Sequence, residues 1–94
     1  MNLFLTKTAQ RELDEIKNEN PRDYDNIISD IKDLQNKPFP RSPKGKKIYG
    51  KNGILWRLRS GDYRILYRPF ARGSLIILRI ILRKDLEHLL KHFS

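Results

Sequence analysis

The sequence predicts an α+β domain in which a helical hairpin covers one face of a mainly antiparallel sheet. Three observations carry that prediction. Helical apolar spacing runs through the first third of the chain, strand-like alternation dominates from residue 54 to residue 83, and a proline-rich segment separates the two.

The elements follow in order. NLFLT, at residues 2–6, is a short apolar run suited to an edge strand, and Thr6 is placed to cap the next helix. In TAQRELDEIKNEN, the apolar residues Ala9, Leu13 and Ile16 fall on one helical stripe. Asn20 before Pro21 has the order expected at a helix start. Tyr24, Ile27, Ile28, Ile31 and Leu34 then recur at spacings of three and four. So short a connection makes the two helices an antiparallel hairpin.

Asn36–Lys47 carries Pro38, Pro40 and Pro43 and is expected to be loop. Ile54–Arg59 and Tyr63–Arg68 flank a Ser-Gly-Asp turn and form a β-hairpin. PFARGS makes a second turn. LIILRIILR, from Leu75 to Arg83, is a long strand rich in β-branched residues, expected inside the sheet. In DLEHLLKHF, Asp85 is the expected N-cap of a short closing helix whose apolar face is Leu86, Leu89, Leu90 and Phe93. That helix is expected to dock at the end of the sheet. The predicted order is β-α-α-β-β-β-α, with residues 1–94 forming one domain.

Composition narrows the function. The chain has no cysteine, which excludes disulfides and thiolate metal sites. No apolar run approaches the roughly 20 residues of a membrane span, and MNLFLTKTAQ is not a signal peptide, so a cytoplasmic protein is expected. The net charge is +9, unevenly spread. Residues 1–40 hold six basic and eight acidic side chains, whereas residues 41–94 hold fourteen basic and three acidic ones. That asymmetry points to a polyanion, most simply nucleic acid, as partner of the second half.

Strand alternation says where the arginines face. One face takes Ile54, Trp56, Leu58, Tyr63, Ile65, Tyr67, Ile76, Leu78, Ile80 and Leu82, the apolar floor that the helical hairpin requires. Trp56 and Tyr67 are therefore expected in the core, while Tyr49 falls outside the alternation. The opposite face takes Arg57, Arg59, Arg64, Arg68, Arg79 and Arg83, with Leu55, Leu66, Ile77 and Ile81 interspersed. Alternation gives this face no carboxylate, so phosphate oxygens, which guanidinium forks bind bidentately, are its expected counter-ions.

These residues resemble the RelE/ParE superfamily of type II toxin–antitoxin toxins over nearly the whole chain. KIYGKNGILWRLRSGDYRILYR is similar to the family's Lys-x-x-Gly followed by Tyr-Arg-Leu-Arg-x-Gly-Asp-Tyr-Arg-hydrophobic-hydrophobic-Tyr. Trp56 stands in for the first tyrosine, while Arg57, Leu58, Arg59, Gly61, Asp62, Tyr63, Arg64 and Tyr67 match. The resemblance implies either of two activities. RelE-like members cut mRNA in the ribosomal A site, without metal or cofactor, by attack of a ribose 2′-hydroxyl on the adjacent phosphate. ParE-like members inhibit DNA gyrase. The ribosome-dependent mRNA endoribonuclease is the favoured expectation, with gyrase inhibition or a non-catalytic nucleic-acid-binding module as alternatives.

By the same resemblance, Arg57, Arg64 and Arg83 fall at catalytic basic positions. Lys46, Lys47, Lys51, Arg59, Arg68, Arg79 and Lys84 complete an RNA-binding set. The family's C-terminal His-Arg-x-Asp-hydrophobic-Tyr appears here as Leu82-Arg83-Lys84-Asp85-Leu86-Glu87, without histidine or tyrosine. Leu55 sits where some ribonuclease members have a lysine. His88 and Glu87 lie nearby as acid–base candidates, His88 being of the type that titrates near neutrality. His88 and His92 are four apart with no third ligand in sight, so no metal site is expected. The implied partner is an acidic cognate antitoxin that also mediates higher oligomers, with mRNA on the ribosome as target.

Overall fold

The computed structural model describes residues 2–50 and 53–93, and the side chains of all of these except His92 and Phe93. The elements are β1 (Asn2–Leu5), α1 (Lys7–Glu19), α2 (Pro21–Leu34), β2 (Gly45–Gly50), β3 (Gly53–Ser60), β4 (Tyr63–Pro69), β5 (Ser74–Leu82) and α3 (Arg83–Phe93). The strands form one sheet in the order β1-β5-β4-β3-β2. β1 runs parallel to β5, and the other neighbours are antiparallel. The α+β class and the helical hairpin stand as expected.

Two boundaries differ from the sequence reading. β2 was not foreseen, because residues 36–47 read as loop. It has glycine at both ends and two lysines in its middle, so it lacks an alternating apolar signal of its own and exists by pairing with β3. α3 begins at Arg83, which places Asp85 inside the first turn rather than at the cap. There its carboxylate still complements the positive end of the helix. Phe93, expected on the apolar face of α3, lies outside the described side chains.

The main core forms between the hairpin and the sheet. Ala9, Leu13 and Ile16 from α1 and Ile27, Ile31 and Leu34 from α2 meet Leu58, Tyr63, Ile65, Tyr67, Leu75, Ile77 and Ile80. Thr6 caps α1 by accepting from the Ala9 N–H at 3.0 Å, an interaction typically worth about 1 kcal/mol. The proline-rich loop is fastened from beneath. The Tyr67 hydroxyl donates to the Pro38 carbonyl at 2.7 Å. Asp30 of α2 accepts from Ser60 at 2.7 Å and from Lys44 at 2.9 Å. Gly45 closes the loop so tightly that a Cβ there would collide with the Pro40 carbonyl and ring.

Strict alternation fails in β5. Leu66 pairs with Arg79 and Tyr67 with Ile77, so the register skips Leu78. Such a bulge reverses the facing of the residues beyond it. Leu75 and Ile77 therefore face the hairpin before the bulge, and Ile80 faces it afterwards. Ile76 and Leu78, assigned to the core by alternation, and Ile77, assigned to the arginine face, are each on the other side. The backbone groups around the bulge find partners in α1 and its cap. The Thr6 hydroxyl donates to the Leu78 carbonyl at 2.9 Å. Glu12 accepts from the Ile80 N–H at 3.0 Å.

The sheet's second face carries its own small core. Leu55, Leu66 and Ile81 are buried there under Ile48, Leu78, Leu86 and Leu89. α3 thus packs on the face opposite the hairpin, rather than at the end of the sheet.

Glu12 satisfies both the bulge and the Arg79 side chain, so Glu12→Ala should leave a buried N–H without a partner. A loss of about 1–3 kcal/mol is expected for one such group. Urea denaturation checks this, and Glu12→Gln, which keeps an acceptor for Ile80, should lose less.

Candidate nucleic-acid interface

β2, β3, β4 and α3 enclose a cleft of about 870 Å³ lined by Lys46, Lys47, Arg57, Arg59, Arg64, Arg83 and Glu87, with Ser42, Pro43, Ile48, Tyr49, Leu86 and Leu90. The register explains how so many cations meet. Lys46 stands opposite Arg57, and Arg59 stands opposite Arg64. Like charges directly across a strand pair oppose sheet formation. Two such pairs, one on each of the two ladders that β3 forms, are difficult to explain by stability alone.

Arg64 is the deepest of the set, only 6% exposed. Its Nη1 donates to the carbonyls of Gly61 at 3.0 Å and Tyr63 at 2.8 Å. Burial lowers its pKa first, and Arg57, Arg59 and Arg83 lower it further, against a small opposing pull from Asp62. Arg57 is half-buried and reaches the Pro43 carbonyl at 3.4 Å. Its pKa is lowered by burial and then by Arg59. Arginine's ordinary pKa is so high that both remain charged at neutral pH. The depression is first a cost of burying these cations and second of holding them together, and an anion in the cleft would offset both.

The other sequence-selected residues divide. Lys47 borders the cleft, but its ammonium sits over the rings of Tyr49 and Trp56, 5.4 and 5.7 Å from their centroids. Lys84 lines a neighbouring recess with Asp62, Leu82, Arg83 and Glu87. Arg68 is exposed and stands apart from the cleft lining, opposite Ile76. Lys51 lies outside the described residues. His88 is exposed on α3 and does not line the cleft, whereas Glu87 does.

Arg79 requires a correction. Alternation placed it on the arginine face, but the bulge turns it to α1, where Nη2 and Nε donate to Glu12 at 2.9 and 3.1 Å. That hydrogen bonding raises its pKa. Its counter-ion is internal. The expectation that this face lacks carboxylates fails at Glu87 as well. Leu55, Leu66 and Ile81 show why the face is not simply open: α3 covers them, and only the arginine end remains as a cleft.

A sequence model described as the ParE toxin of the type II toxin–antitoxin system parDE matches residues 3–89. The chain belongs to this family. Comparison with curated proteins gives no match. Among solved structures, the toxin is similar to the YoeB/ParE toxin from Agrobacterium tumefaciens, with a TM-score of 0.77, 20% identity, and coverage of 88% of this chain and 99% of that one. It is also similar to the RelBE2 toxin–antitoxin complex from Mycobacterium tuberculosis, at 0.69 and 27%, covering 87% and 96%. A third likeness is to the chromosomal ParDE system from P. aeruginosa, at 0.57 and 21%, covering 87% and 95%. The toxin therefore shares its fold with members bearing RelE-type, YoeB-type and ParE-type names. No helix among the described residues is long and apolar enough to cross a membrane.

If the clustered cations await an anion, tripolyphosphate should stabilise the toxin more than chloride at equal ionic strength. A ligand at 100 times its Kd contributes about 2.7 kcal/mol, read as a Tm shift of roughly 10–20 °C in a domain of this size. Arg64→Gln should shrink that shift. Equal melting in both salts would remove the anion site.

Proposed function

We propose that the toxin binds RNA in the basic cleft and cuts mRNA on the ribosome. The observation that supports this reading is the convergence of Lys46, Arg57, Arg59, Arg64 and Arg83 in one cleft, with Glu87 as the one carboxylate among the described lining residues. Attack of a 2′-hydroxyl oxygen on the neighbouring phosphorus forms one P–O bond and breaks the bond to the 5′-oxygen. A proton leaves the 2′-oxygen and another reaches the departing 5′-oxygen, leaving a cyclic phosphate and a 5′-hydroxyl. Negative charge gathers on the non-bridging oxygens in the transition state. Arg57, Arg64 and Arg83 are assigned to hold that charge, a role in which fixed donors are most effective when little reorganisation is needed.

Proton transfer needs a group at the cleft. Glu87 is there and His88 is not, so Glu87, the second acid–base candidate of the sequence, takes the role expected of His88. An acidic antitoxin is proposed as the inhibitor, since its charge would complement the cleft. Two of the similar structures are toxin–antitoxin systems from Mycobacterium tuberculosis and P. aeruginosa.

One alternative has a specific basis. The matching family model is ParE, and the described residues lining the cleft include no histidine. Both favour gyrase inhibition without RNA cleavage.

Translation in a cell-free extract, with primer extension on the message, separates these readings. Cleavage is expected, and Arg57→Ala should slow it by about 10²–10³-fold, the usual effect of removing one oxyanion donor. Glu87→Gln should slow single-turnover cleavage by about 10²–10⁴-fold, while His88→Ala keeps the wild-type rate. Intact message together with inhibited DNA supercoiling would replace the nuclease by the gyrase reading.

A further inference from the structure

A second surface continues from the rim of the arginine cleft over the β2 edge, beginning at Lys47 and Tyr49. Lys47 pairs with Trp56 and Tyr49 with Ile54 across β2 and β3, so these four share the hairpin face of the sheet. Three of the large apolar side chains exposed on the molecule gather here: Phe39 at 41%, Ile54 at 43% and Tyr49 at 68%. Phe39 stacks on Trp56 with ring centroids 4.7 Å apart. The Lys47 ammonium lies over both Tyr49 and Trp56, and among the described residues it makes no ion pair. Exposed aromatic area assembled around an unpaired cation marks a surface that something covers.

The chemistry of the occupant follows from that mixture and from the position. Nucleobases stack on aromatic rings whatever their sequence, and a lysine among the rings favours a polyanionic chain. β2 is an edge strand, and it also forms a wall of the basic cleft through Lys46 and Ile48. Tyr49 and Lys47 border the cleft at that edge, so a single strand leaving the cleft over β2 passes Tyr49.

We propose that Tyr49, flanked by Lys47 and the Phe39–Trp56 pair, is a base-stacking subsite for single-stranded RNA leaving the arginine cleft. This rests on the cleft itself taking RNA. The subsite orders the strand beyond the phosphates held by the arginines. It also distinguishes single-stranded from duplex RNA, because paired bases do not offer a free face.

Trp56 is the only tryptophan in the chain, so its emission reports on this surface directly. Titrating the full chain with single-stranded oligoadenylate should quench Trp56, and a duplex of equal length should not. Tyr49→Ala should weaken single-strand affinity by roughly 5- to 100-fold, the range for losing one base–aromatic stack, without altering the salt slope, since no phosphate contact is lost. Tyr49→Phe should restore wild-type affinity. If Tyr49→Ala binds oligoadenylate like the wild type while Arg57→Ala binds weakly, the subsite is refuted and the cleft reading stands. If Arg57→Ala also binds normally, or the wild type binds no RNA, the cleft reading falls and the subsite with it. Trp56 quenched by an acidic antitoxin peptide but not by RNA would overturn the proposal in favour of a protein partner.

Discussion

Strand β4 is buried on both faces from Tyr63 to Tyr67, and the rest of the molecule is arranged around that constraint. A strand whose successive side chains point opposite ways can be buried throughout only if each face has a cover. The helical hairpin supplies one cover, over Tyr63, Ile65 and Tyr67. α3 supplies the other, over Leu66. Arg64 shares the face of Leu66, so it becomes a buried cation that, among the described residues, donates to the Gly61 and Tyr63 carbonyls. A buried charge needs compensation. The turn carbonyls supply part of it, and a bound phosphate group would supply the rest.

The bulge at Leu78 is the second device. It lets β5 contribute Leu75, Ile77 and Ile80 to the main core while Leu78 and Ile81 serve the smaller one. With it, Arg79 turns to Glu12, and the same carboxylate accepts the Ile80 N–H. Charge is thereby sorted. One arginine of the sheet is neutralised internally, and the cations that remain together are those lining the cleft.

Much of this was legible in the sequence. Helical spacing identified the residues of α1 and α2 that are buried, Thr6 caps α1 as its position predicts, and the motif around Arg57 to Tyr67 pointed to the family that the comparisons show. Three things were hidden. β2 has no apolar signature, since its place depends on β3, a partner whose register no local pattern encodes. The bulge was hidden because LIILRIILR is apolar at nearly every position, so either facing satisfies alternation, and only Arg79 distinguishes them. The docking of α3 was hidden because Leu55, Leu66 and Ile81 read as gaps between arginines rather than as a second core.

On the proposed reading, the cleft, and not the overall positive charge, binds the phosphodiester chain. Salt dependence of single-stranded RNA affinity tests it most directly, because each phosphate contact contributes about 0.7 to the slope of log K against log salt. Arg57 lines the cleft, and Arg68 is an exposed arginine outside it. Arg57→Gln should lower the slope by about 0.7 while Arg68→Gln leaves it unchanged. Equal losses in the two variants would show that net charge alone holds the RNA, and would refute a specific role for the cleft.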